Sequence, residues 1–122
     1  MPMPVFNDAN ELVYIEIPLI FSIYKDPKSR KIIVEAECGE YYLPSTIEQI
    51  DLIMSSSGFM LIDKNRIINL DQIKTYKYGV VEVDGSRYFV SKRKRKKLEE
   101  IIDKRSRDTN GKYCSTFIDR HN

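Results

Sequence analysis

The chain has 122 residues, a formal net charge of +2, 42% hydrophobic residues and no Trp. That length suits one compact domain and is short for two, and the apolar fraction is enough for a packed core. No apolar run approaches the length of a bilayer span, and the start "MPMPVFNDANE" has neither a charged n-region nor an h-region, so a membrane span and a signal peptide are not expected.

Residues 1–10 are polar or Pro-containing and read as a flexible N-terminal arm. The stretch "ELVYIEIPLIFSIYK" (11–25) is dense in Val, Ile, Tyr and Phe, which favour a pleated, half-buried surface. Pro18 interrupts it, so it reads as two short strands with a kink or an edge position between them. "DPKS" (26–29) is a turn signal. "RKIIVEAE", a turn at Cys38-Gly39 and "EYYL" then read as a hairpin.

"PSTIEQIDLIMSSSG" changes period. Ser45 and Glu48 have the spacing of a capping box. Ile47, Ile50, Ile53 and Met54 fall on one helical face. The result is a short packing helix, ended by three serines and Gly58.

From Gly58 the chain returns to strands: "FMLID", "RIINL", "QIKTYKY", "VVEV" and "RYFV". Asp84-Gly85 between the last two is a strong two-residue hairpin signal. In "VVEV", Val81 and Val83 share one face, whereas Val80 and Glu82 leave the wetness of the other open. Ser91 caps a second helix with a narrow apolar face of Leu98, Ile101 and Ile102. Residues 106–122 have no clear periodicity and read as a tail that need not be ordered, although Tyr113, Phe117 and Ile118 are apolar enough to dock. Many short strands with one helix mid-chain and one after the last hairpin, and no regular βαβ units, argue against a parallel sheet.

Charge is unevenly spread. Residues 91–107 hold nine Lys or Arg against three acids, whereas residues 1–90 hold nine basic and thirteen acidic residues. A mildly acidic body with one concentrated basic segment suits a partner of polyanionic character. A lysine-rich solvated helix face, or an anchor to acidic lipid, would give the same pattern.

Signs of catalysis are lacking. His121 is the only histidine and lies beside the C-terminus. Cys38 and Cys114 are far apart and match no metal spacing, so two reduced thiols in a cytoplasmic protein are expected. No H-x-x-x-H, C-x-x-C, P-loop or G-x-S-x-G stretch is present. An enzyme is therefore not expected, nor a cofactor, a metal or a small-molecule substrate.

Two stretches carry a family resemblance. In "GFMLIDKNRIINLDQIKTYKYG", Phe59, Ile62, the triplet Asp63-Lys64-Asn65, Arg66, Ile67-Ile68, Asn69-Leu70 and Ile73 stand in order. In "VDGSRYFVSKRKRKKLEEI", a hairpin leads through Val90-Ser91 into Lys92 to Lys97. Together they resemble the LytTR family of bacterial DNA-binding domains, over roughly residues 11–103. The family's usual His-Arg-Ser is here Asp63-Lys64-Asn65, and its next aromatic is Arg66.

The resemblance implies a mainly β fold: antiparallel β-sheets of the LytTR type, one short mid-chain helix and a C-terminal basic helix. It implies a DNA-binding domain over residues 11–105, flanked by the arm 1–10 and the tail 106–122, in a stand-alone module without a receiver domain. It also implies a transcriptional regulator that reads the major groove of double-stranded DNA through loops, as a homodimer on repeated sites.

The resemblance implies base-reading positions at Arg30, Lys64, Asn65 and Arg93. Phosphate contacts fall on Lys28, Ser29, Lys31, Ser91, Lys92, Lys94, Arg95, Lys96 and Lys97. Residue chemistry suits these roles: Arg can donate two bonds to guanine O6 and N7, Asn pairs with adenine, and Lys is a compact charge for phosphate. The competing expectations are a basic β-rich module that binds protein partners or an acidic membrane surface, and a regulator whose altered triplet has lost specific reading.

Overall fold

The computed structural model describes residues 2–108 and 118–119. His121, Cys114, Tyr113 and Phe117 lie outside the described residues. The structure divides into two units between Gln72 and Ile73.

The first unit is a seven-stranded sheet in the order β2-β1-β5-β4-β3-β7-β6. Its strands are β1 (Pro2–Phe6), β2 (Leu12–Glu16), β3 (Ile20–Lys25), β4 (Ile32–Ala36), β5 (Gly39–Leu43), β6 (Phe59–Asp63) and β7 (Arg66–Asn69). Every neighbouring pair is antiparallel. Pro18 does interrupt the long β-forming stretch: Ile17–Leu19 is a single 3₁₀ turn between β2 and β3.

The arm expected at residues 1–10 is instead largely strand. β1 pairs with β2 along its whole length, from Pro2↔Glu16 to Phe6↔Leu12. The Pro-containing composition of residues 1–10 suggests a flexible arm, but a proline fits a strand when its missing N–H faces away from the partner. Here that side faces β5, and the register to β5 is the pair Phe6↔Tyr42, beyond both prolines. Side chains anchor the hairpin: Val5 and Ile15 are buried with Ile20, Ile23, Val34 and Ile67.

Helix α1 (Ile47–Met54) covers this core with Ile47, Ile50 and Met54. Its cap is one residue later than the Ser45/Glu48 spacing suggested. Thr46 Oγ1 accepts the Gln49 N–H at 3.2 Å, and Gln49 Oε1 accepts the Thr46 N–H at 3.3 Å. Ile53, expected on the buried face, is exposed, as is Leu52. An eight-residue helix has one inward stripe, at i, i+3 and i+7, and Ile53 lies off it.

The second unit has a four-stranded sheet in the order β10-β9-β8-β11. Its elements are β8 (Thr75–Lys77), β9 (Val80–Val83), β10 (Ser86–Phe89), helix α2 (Lys92–Asp108) and β11 (Ile118–Asp119). β8, β9 and β10 are antiparallel, and β11 joins β8 in parallel with Ile118 opposite Tyr76. Asp84 and Gly85 have φ of 50° and 78°, the positive pair that a two-residue hairpin turn requires. On β9, Val81 and Val83 are buried, while Val80 and Glu82 are half-buried. α2 turns Leu98 and Ile102 inward. Tyr76 Oη donates to Glu99 Oε2 at 2.6 Å, which ties α2 to β8. Among the described residues no helix is long and apolar enough to cross a membrane.

Candidate nucleic-acid interface

One end of the seven-stranded sheet gathers two cationic turns. β3 runs into the turn 26–31 and β4 leaves it, with Lys25 opposite Ile32. β7 starts opposite the end of β3, with Arg66 opposite Tyr24. The β6–β7 turn therefore stands beside the β3–β4 turn.

The β3–β4 turn is built by Asp26. Its Oδ2 accepts the Ser29 N–H at 2.8 Å and the Ser29 hydroxyl at 2.7 Å. Those bonds hold the Asp26 carboxyl below the usual carboxylate range. The Arg30 N–H donates to the Asp26 carbonyl at 2.8 Å, and the Asp26 N–H donates to Lys31 O at 2.9 Å. Arg30 itself takes a left-handed φ of 63°. Lys28, Arg30 and Lys31 are all exposed. The Lys31 ammonium lies 5.7 Å from the centre of the Tyr42 ring. Ser29, expected on phosphate, has its hydroxyl proton committed to the turn.

The β6–β7 turn is built by Asp63, whose Oδ1 accepts the Asn65 N–H at 2.7 Å. This answers how an acid sits in a cationic turn: its charge points onto the backbone. The Asn65 carbonyl accepts the Lys25 N–H at 2.9 Å, which joins the two turns. Lys64 is exposed and Asn65 half-buried.

Behind the turns lies a cluster that sequence reasoning missed. Arg66 Nη1 meets Glu35 Oε1 at 3.0 Å and Ser22 Oγ at 2.9 Å. Its guanidinium stacks over Tyr24, 4.3 Å from the ring centre. Ser22, itself buried, donates to Glu35. Burial, then the Glu35 charge, raises the Tyr24 phenol. Sequence shows Arg66 only as an aromatic replaced. Its partners lie on β3 and β4, 44 and 31 residues away, so no local spacing announces them.

The remaining candidates open α2 in the second unit. Lys92, Arg93, Lys96 and Lys97 are exposed, and Ser91, Lys94 and Arg95 are half-buried. No acid occupies the first turn of α2, so its N–H groups and four exposed cations present a positive surface. Arg95, expected on phosphate, also holds its own unit together. Its Nε donates to the Val90 carbonyl at 3.0 Å, and the Val90 N–H donates to the Gly79 carbonyl at 2.8 Å. Gly79 has φ of 76°, and a Cβ there would come within 2.4 Å of the Arg95 guanidinium carbon. The structure thus brings Lys28, Arg30, Lys31 and Lys64 to one sheet end, and Lys92, Arg93, Lys96 and Lys97 to the opening turns of one helix.

The family model described as the LytTr DNA-binding domain matches residues 10–103. Among solved structures, a chain described as the LytTr DNA-binding domain of a methyl-accepting/DNA response regulator from Bacillus cereus is similar in fold. The TM-score is 0.72 at 13% identity, covering 83% of this chain and 95% of that one. No curated protein matches the chain.

Proposed function

The chain belongs to the LytTR family of DNA-binding domains, and on that premise we propose that it is a sequence-specific transcriptional regulator reading the major groove of double-stranded DNA through its turns. The observation that carries this reading is the pair of adjoining turns that present Lys28, Arg30 and Lys64 to solvent with no acid beside them left free. Asp26 and Asp63, the only acids in those turns, point onto N–H and O–H donors of their own turns.

In this reading Arg30 and Arg93 donate to base edges, Lys64 and Asn65 assist, and the exposed lysines neutralise phosphate. Two copies bind repeated sites, and the protein works in the cytoplasm. Arg95 and Ser29 support the contact surface rather than touch DNA.

The burial of Leu98 and Ile102 weighs against the membrane alternative. An interfacial helix needs a free apolar face, and α2 has turned these two side chains inward.

The test is selection of bound duplexes from a random pool, followed by gel shift with Arg30→Ala and Arg93→Ala. A base-reading arginine relaxes the selected sequence at one position and costs about 1–3 kcal/mol on the selected site. Uniform weakening on all duplexes would reduce both residues to phosphate contacts, and failure to select any sequence would end the proposal.

A further inference from the structure

A cleft of about 890 Å³ opens between the β1–β2 turn, the β3–β4 turn and the segment that leads from β5 into α1. That volume is within the range of small-molecule sites, roughly 300–1,000 Å³. Its apolar lining comes from Phe6, Ile32, Leu43 and the ring of Tyr42. Arg30 and Lys31, both exposed, also line it.

The polar groups of the walls are largely matched among themselves. Ser45 Oγ donates to Gln49 Oε1 at 2.9 Å, and the same Gln49 oxygen accepts the Thr46 N–H. Asn7 Oδ1 accepts from the N–H groups of Ala9 and Glu11, and Asn7 Nδ2 donates to Glu11. The one acid in the wall, Asp8, lies near the Tyr42 hydroxyl and holds that phenol above its usual range. Among the described residues the Arg30 guanidinium has no hydrogen-bond or ion-pair partner, and it lines the same cleft as the apolar side chains. A ligand that complements this has an apolar body and one anionic head.

We propose that the cleft binds a small amphipathic carboxylic acid, its carboxylate held by the Arg30 fork with Lys31 beside it and its apolar body laid over Phe6 and Leu43. A carboxylate matches the planar guanidinium through two parallel bonds. Arg30 is also a base-reading residue of the proposed function, so acid and duplex compete for it. That second clause rests on the DNA reading, and the first does not.

The experiment titrates the full ¹⁵N-labelled chain with 2-naphthoate and, separately, with neutral 2-naphthamide. Naphthoate should shift the amides of Asn7, Leu43 and Thr46 saturably, and naphthamide should bind at least about tenfold more weakly, the loss expected when a charge-assisted pair is removed. Arg30→Gln should weaken naphthoate by a similar factor. Lys74→Gln, an exposed charge outside the cleft, should not.

Equal binding of acid and amide, an unaffected Arg30→Gln, or no saturation by about 10 mM, which corresponds to less than about 3 kcal/mol of binding, would overturn the site. Gel shift on the same samples separates the two clauses. Saturating naphthoate that leaves DNA retention unchanged overturns the competition while the cleft stands. DNA retention lost in Arg30→Gln, with naphthoate binding intact, overturns the cleft and keeps the DNA reading.

Discussion

The backbone N–H of Lys25 donates to the carbonyl of Asn65 at 2.9 Å. One peptide of β3 thus carries on its C-terminal side the Asp26 turn and on its lateral side the Lys64 turn. The spacing of the two exposed cationic turns is set by a sheet hydrogen bond and not by side-chain reach. A site held by backbone pairing keeps its geometry when exposed residues change, so substitutions of Lys28, Arg30 or Lys64 should alter binding and leave folding intact.

Asp63→Ala removes the acceptor for the Asn65 N–H. Thermal denaturation should show a loss of about 0.5–1.5 kcal/mol, the net worth of one hydrogen bond. Affinity for a selected duplex should fall as well, although a negative charge has been removed. Tighter binding in this variant would mean that Asp63 acts as a repelling charge and does not build the turn.

Arg66→Met leaves Glu35 with Ser22 as its hydrogen-bond donor of the cluster. At 18% and 28% side-chain exposure this pair is sheltered, so breaking it should cost about 1–3 kcal/mol in urea denaturation. Glu35→Gln combined with Arg66→Met should cost less than the sum of the two single changes. Additive losses would show that the two side chains act independently.

Gly79→Ala sets a Cβ against the Arg95 guanidinium and holds a non-glycine residue at φ of 76°. The expected loss is about 1–3 kcal/mol. Adding Arg95→Ala should restore the steric part and leave the backbone part, read as a partial recovery of the melting temperature. No recovery at all would place the whole cost in the backbone.

Asp26 titrates below its ordinary value of 3.8 because the Ser29 N–H and hydroxyl favour its charged form. Its stabilising contribution is complete above that ordinary value and is lost as pH falls through the lower, folded-state value. The β3–β4 turn should therefore keep its Ser29 amide protected at neutral pH and lose that protection below about pH 4. In Asp26→Asn the acid-dependent step should vanish from the amide-exchange profile of Ser29.

What the sequence revealed follows how local each cause is. Asp84-Gly85 and Pro18 act through their own backbone angles, and both gave the expected turn and break. The capping box moved by one residue because Thr46 and Gln49 have a capping spacing like that of Ser45 and Glu48, and the inward stripe of α1 decides between them. Pro2 and Pro4 misled for a related reason: a proline excludes a strand only on the side where its N–H is needed, and which side that is depends on β5. The cationic turns were visible as composition. The Arg66 cluster and the Lys25–Asn65 bond were not, since both join residues whose proximity exists only once the sheet has formed. Arg95 was grouped with its basic neighbours because a charge run does not show which member faces Gly79.

The prolines of β1 have a thermal consequence. With Phe6 opposite Tyr42 as its register to β5, the β1–β2 hairpin is attached mainly by the greasy contacts of Val5 and Ile15. Attachment of that kind weakens on cooling, whereas a ladder of backbone bonds does not share that dependence. In the cold, the hairpin should be the first part of its sheet to come away, and it would take the outer wall of the Arg30 cleft with it.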